Sequence, residues 1–227
     1  GAEVVCGNTA LAGVAKYYAQ PVGYPPAPPP LFVDVQAVSE MRGVSLGGDG
    51  VLRVGAASSL DELREALVEH RDASSALFGS AAELLLRVAT PQVRAVGSIG
   101  GSVAFAARNT AFPSDVALML IAARTTAKVV DVSSGVKLSL PVSQYLAGGG
   151  EGVLLVSFEI PIEATGTTVV LDKVAKRSHN AHSLINIALR LEAGSQAPLV
   201  AIGGAVSGLV RCAAAEAELT GADLSSE

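Results

Sequence analysis

Apolar positions in this chain fall into short runs separated by glycine- and proline-bearing breaks, and the spacing inside each run sets the element it predicts. Val4, Val5 and Cys6 form a first run closed by Gly7-Asn8-Thr9, and Leu11, Val14, Ala15 and Tyr18 follow at helical spacing, so strand, tight turn and helix are expected. Residues 21–30 hold six prolines, which remove backbone donors and fix φ, as in a surface loop or extended spacer. A strand resumes over 31–35, and the glycine-rich turn at 47–50 leads into another over 51–54. Ser59 and Glu62 have capping-box spacing ahead of the stripe Leu60, Leu63 and Leu67, which predicts a helix reaching about His70. A second helix is expected over 76–88, with Leu77, Leu84, Leu85 and Val88 inward and Pro91 breaking the pattern.

Between Arg94 and Arg108 no residue is charged, and the segment contains Ser98-Ile99-Gly100-Gly101-Ser102. An uncharged, glycine-bearing stretch implies close-packed, buried backbone. Pro113-Ser114-Asp115 precedes the apolar run 116–123 and reads as the start of an N-capped helix. From Thr126 the texture changes to β-type runs at 128–132, 136–140, 153–160, 168–174 and 184–191, separated by turns such as 148–150, which suggests an antiparallel sheet. Helices first and strands later favour α+β over alternating α/β. The tail from Ala197, with Gly203-Gly204 and an alanine-rich stretch to Leu219, suits the start of a further subdomain.

Composition narrows the function classes. The 227 residues are 50% hydrophobic and 16% charged, with a net charge of −5 and no basic cluster, which argues against a nucleic-acid partner. No uncharged apolar stretch approaches the ~18 residues of a membrane span. The first residues lack the basic and apolar regions of a signal peptide, which favours a cytoplasmic setting, and both ends look cut from something larger. Cys6, Cys212, His70, His179 and His182 do not assemble a metal or cluster ligand set, so no metal site is expected. The His179-x-x-His182 pair could mark a metal or a covalent flavin anchor, or simply a surface loop before the strand at Leu184. No general acid or base is evident, so no catalytic side chain is assigned.

Two segments could cradle a phosphate through main-chain N–H groups: residues 5–10, Val-Cys-Gly-Asn-Thr-Ala, and residues 97–102, Gly-Ser-Ile-Gly-Gly-Ser. Neither has the Gly-Lys-Ser/Thr of a P-loop or the Gly-x-Gly-x-x-Gly of a Rossmann turn. Taken alone, each reads more simply as a tight turn.

Taken in order, the stretches VVCGNTALAG, TPQVRAVGSIGGSVAFA, FPSDVALMLIAA, LLVSFEIP and KVAKRSHNAHSLINIALRL resemble the FAD-binding domain of the molybdenum hydroxylases, the family of xanthine dehydrogenase, aldehyde oxidase and the carbon monoxide dehydrogenase flavoprotein. FPSD looks closest to plant-type aldehyde oxidase, and GGAVSGLVRCAAAEAELTG looks like the opening of the family's C-terminal flavoprotein subdomain. The resemblance implies an α+β, two-subdomain FAD-binding fold of the PCMH type. It would occupy residues 1–193, with a helix-containing part to 123 and a mainly antiparallel sheet over 124–193, and the C-terminal subdomain would begin within 194–227.

Carried over by position, Val4, Val5, Cys6, Gly7, Asn8, Thr9, Ala10 and Leu11 match the first FAD loop, whose main chain holds the pyrophosphate. Ser98, Ile99, Gly100, Gly101 and Ser102 match the second. Ser114 and Asp115 fall where the family has an aspartate near the ribityl and flavin side, although Asp115 also suits a helix cap. Leu155 matches an apolar residue that packs on the cofactor, and Lys173 a lysine that reaches FAD, the alternative being a solvated strand lysine. Val88 stands where many relatives place an aromatic residue near the adenine, and Ala10 where many have glutamate.

The implied function is an electron-transfer module, with FAD taking electrons from a [2Fe-2S] partner and passing them to NAD or O2. The [2Fe-2S] and molybdenum-cofactor centres would lie on other domains or subunits, in an enzyme assembled as a homodimer. Two other classes remain open at this point: a scaffold domain that keeps the fold without FAD, and a stand-alone flavin oxidase.

Overall fold

The structure is a computed structural model that describes residues 2–10, 31–148, 150–192, 197–205 and 208–220. The expected helix at Leu11 and the proline-rich segment 21–30 lie outside the described residues.

Strand β1 (Ala2–Val5) pairs in parallel with β2 (Leu31–Asp34), and Val35 N–H extends the ladder to Val5 O. A parallel pair needs a crossover, and residues 6–30 connect the two strands. Next come β3 (Val44–Leu46) and β4 (Val51–Gly55), then helix α1 (Leu60–Glu69). The capping box forms as the spacing predicts: Ser59 Oγ accepts from Glu62 N–H, and the Glu62 carboxylate accepts from Ser59 N–H.

Helix α2 spans Ser75–Leu86, two residues short of the expected end at Val88. Its stop has a visible cause, since the buried Arg94 guanidinium donates to the carbonyls of Leu86 and Val88 and Ala89 takes a positive φ of 51°. A short α3 (Pro91–Arg94) leads to α4 (Ile99–Arg108) and then α5 (Asp115–Ala122). Every residue of α5 is buried, as a helix apolar on all sides demands.

The later strands divide between two sheets instead of forming one. β5 (Thr126–Asp131), β6 (Lys137–Pro141) and β7 (Val153–Pro161) join β3 and β4 in the order β3-β4-β7-β5-β6, with helix α6 (Val142–Ala147) leaving β6. β8 (Thr168–Ala175), β9 (Ser183–Leu191), β10 (Leu199–Gly203) and β11 (Leu209–Arg211) form the second sheet in the order β11-β10-β9-β8, followed by α7 (Ala213–Leu219). Pairing crosses both positions at which the sequence is divided above, since β4 pairs with β7 across residue 123 and β9 with β10 across residue 193.

The core lies between the sheets. α4 rests against β7 on one side and α5 on the other, and α5 in turn rests against β8, β9 and β10. Leu63, Leu85, Ile99, Leu118, Leu120 and Phe158 are among its fully buried side chains. Burying such a side chain contributes about 1.5–3 kcal/mol, so this helical layer fixes where the turns at its edges sit.

Candidate functional site

The two glycine-bearing turns meet. β1 delivers its chain into Gly7 and Asn8, both left-handed with φ of 66° and 48°, after which Thr9 and Ala10 take helical backbone. A side chain at Gly7 would overlap the Val96 carbonyl, so the turn needs glycine both for its φ and for this approach. From the other side, a Cβ on Gly97 would lie 3.1 Å from Thr9 Oγ1. Cys6 Sγ points at Ala57 O, 3.9 Å away, and Val4 on β1 stays exposed.

Their backbone amides differ in a way that spacing does not reveal. Within the described residues, the N–H groups of Gly7, Asn8 and Thr9 donate to no protein acceptor. In the second turn the corresponding groups are engaged: Ile99 N–H donates to Ser58 O at 3.0 Å, Gly100 N–H to Ala56 O at 2.8 Å, and Gly101 N–H to the capping Ser98 Oγ at 3.0 Å. Ser102 Oγ donates back to Ser98 O. Gly100 is close-packed, for a Cβ there would stand 2.7 Å from Ala56 O. Among the described residues, therefore, one turn keeps its donors unengaged, and the other supplies the packed surface behind it.

At the start of α5 the cap is Ser114, whose Oγ accepts from Ala117 N–H, and not Asp115. The Asp115 carboxylate turns instead to Lys173 on β8, with Nζ to Oδ2 at 2.5 Å. Its Oδ1 accepts from Ser183 Oγ at 2.5 Å and from Asn186 Nδ2 at 2.7 Å. Lys173 is no solvated strand lysine: it is 4% exposed, and its ammonium also donates to Ala181 O at 3.1 Å and, at 3.5 Å, to Arg87 O. The Arg87 guanidinium reaches Lys173 O and Asp172, whose carboxyl it holds below the usual range.

The remaining candidates are distributed around this frame. Val88, beside Arg87, is half-buried against the core, and Leu155 is buried within it, its neighbour Leu154 being half-buried. Leu11 lies outside the described residues. His182 packs edge-on against Phe112, ring centroids 5.6 Å apart. Partial burial there, and then the Lys173 charge, push its pKa below the usual histidine value, opposed by Asp115. Among the described residues no three His, Cys, Asp or Glu side chains are grouped to hold a metal ion, and no helix is long and apolar enough to cross a membrane. Sequence reasoning missed Ser183, Asn186 and Arg87, as well as the carbonyls of Ala56 and Ser58.

A strand that ends in a left-handed glycine turn, backed by a second glycine turn at the start of a helix, characterises this α+β domain. The chain belongs to the family described as FAD binding domain in molybdopterin dehydrogenase, which matches residues 1–163. It is 29% identical over 162 residues to probable aldehyde oxidase 1 of Oryza sativa subsp. japonica, covering 69% of this chain and 12% of that protein. Indole-3-acetaldehyde oxidase of Arabidopsis thaliana is 33% identical over 103 residues, which cover 45% of this chain and 7% of that protein. The chain thus spans only a small part of these relatives.

Among solved structures, carbon monoxide dehydrogenase from Hydrogenophaga pseudoflava superposes with a TM-score of 0.78 at 22% identity, over 98% of this chain and 74% of that one. Quinoline 2-oxidoreductase from Pseudomonas putida 86 follows at 0.72 and 21%, over 92% and 69%. The shared α+β FAD-binding fold confirms the expected fold class.

Proposed function

We propose that this chain is the flavin module of a larger molybdenum-dependent hydroxylase of the aldehyde oxidase type, relaying electrons from iron–sulfur clusters to NAD or O2. The carrying observation is the row of amides at Gly7, Asn8 and Thr9 that no described residue engages. They fit a diphosphate, because an acidic protein can hold such an anion on oriented N–H groups without a lysine. The FAD they hold would supply the redox chemistry.

The chain's own residues bind and orient. The first turn grips the diphosphate, with Val4, Val5 and Cys6 leading in and Ala10 leading out; Leu11, matched to the same loop by sequence, lies outside the described residues. Ser98, Ile99, Gly100, Gly101 and Ser102 form its floor, Ser114 and Asp115 with Lys173 supply the charged wall, and Val88 and Leu155 the apolar contacts. The [2Fe-2S] and molybdenum centres belong to other domains or subunits of a cytoplasmic, homodimeric enzyme.

Titration of the purified chain with FAD, followed by flavin absorption near ~450 nm and fluorescence, tests this reading. Saturable binding is expected, and Gly7→Ala should weaken it at least about tenfold by separating the two turns. A folded wild-type chain that binds no FAD would refute the proposal.

A further inference from the structure

We propose that Ser183 and Asn186, on β9 and beyond the matched residues 1–163, are positioning residues of the flavin site: they hold the Asp115 carboxylate on Lys173. The inference rests on the flavin reading above and extends it to residues the family match does not reach.

Asp115, Lys173, Ser183 and Asn186 are 8%, 4%, 5% and 0% exposed, so their side-chain polar atoms depend on protein partners, and every one of them but Asn186 Oδ1 has one. Asn186 cannot be reversed, because Nδ2 sits between two acceptors, Asp115 Oδ1 and Pro113 O. Its Oδ1 abuts Gly203, where any Cβ would overlap it, so the side chain is also wedged in place. Ser183 adds a second donor to the same carboxylate oxygen. With Oδ1 saturated by neutral donors, Oδ2 is left for the ammonium.

A register shift makes this convergence possible. Val174 pairs with Ile185 but Ala175 with Ser183, so Leu184 is an extra residue on β9. Ser183 and Asn186, three apart, would face opposite sides of a regular strand, and the bulge turns both inward. Of the three Lys173 donors, the one toward Arg87 O is the longest, at 3.5 Å, and it points to the corner beside Val88. That donor is the one able to turn to a cofactor acceptor while Asp115 and Ala181 anchor the other two.

Charged and titratable groups around Asp115 are Lys173 on β8, His182 ahead of β9, and the Arg87–Asp172 pair at the end of α2 and on β8. Asn186→Asp sets a second carboxylate against Asp115. Two carboxylates at that separation do not both ionise cheaply, so one takes up a proton with a raised pKa and the pair competes for Lys173.

The test is the FAD dissociation constant of the full chain across pH, expressed as the ratio of variant to wild type so that titration of His182 cancels. For Asn186→Asp the ratio should be at least about tenfold at about pH 8 and fall to within about threefold at about pH 5.5, whereas Asn186→Ala should be weak and flat. A folded Asn186→Asp chain that binds like wild type at the higher pH overturns the proposal and leaves the flavin reading standing. Wild type without FAD binding overturns both. Should Asn186→Asp not fold, Ser183→Ala decides: weaker FAD binding by a chain with wild-type circular dichroism supports the proposal, and unchanged binding overturns it.

Discussion

Replacing Gly100 by alanine separates packing from ligand binding in the second turn. An added Cβ would stand 2.7 Å from Ala56 O and 2.8 Å from Ala56 Cβ, closer than such atoms come in folded proteins. Both neighbours belong to the segment after β4 and cannot swing aside, so α4 must withdraw. Withdrawal stretches the bonds from Gly100 N–H to Ala56 O and from Ile99 N–H to Ser58 O, 2.8 and 3.0 Å long. Two such bonds contribute about 1–3 kcal/mol together, and overpacking adds roughly 1–3 kcal/mol. Better helix propensity returns up to about 1 kcal/mol. The expected net loss is about 1–5 kcal/mol, read as a lower urea midpoint of the FAD-free chain. An unchanged midpoint with weakened FAD binding would refute the reasoning, because Gly100 would then be needed for ligand approach and not for packing.

Lys173→Met leaves the buried Asp115 carboxylate with neutral donors alone, and urea denaturation should show a loss of about 3–5 kcal/mol. Adding Asp115→Asn to that variant should recover part of it, since no uncompensated charge then remains. For His182 the folded pKa lies below the unfolded value, so the unfolded chain binds more protons in that window. Its contribution to stability is therefore present above the unfolded value of about 6.5 and is lost as pH falls through the folded value. His182→Gln should remove this component, seen as a smaller drop in melting temperature between about pH 7.5 and pH 5 than in wild type.

Local features of this fold were legible because their causes are local. The Ser59–Glu62 capping box, the α1 stripe, the start of α5 and most strand runs depend on residues within a turn of one another. The two glycine turns were legible as turns for the same reason. Less legible was the division of labour between them, which depends on the carbonyls of Ala56 and Ser58 some forty residues earlier in the chain. Asp115 illustrates the limit: one position after the cap, it suited a helix start equally well until β8 and β9 supplied Lys173, Ser183 and Asn186.

By itself the sequence determined the periodicities, the turn positions, the α+β class and, through the order of its motifs, the family. Only the tertiary structure decided that the later strands split into two sheets around a buried α5, that Lys173 is enclosed instead of solvated, and that a bulge at Leu184 turns Ser183 and Asn186 inward. Backbone preference and capping act over a few residues and are written in their neighbours. Burial of a charge and the choice of its partner are set by which distant segments exclude water from it, and that is fixed only when the sheets close over the helices.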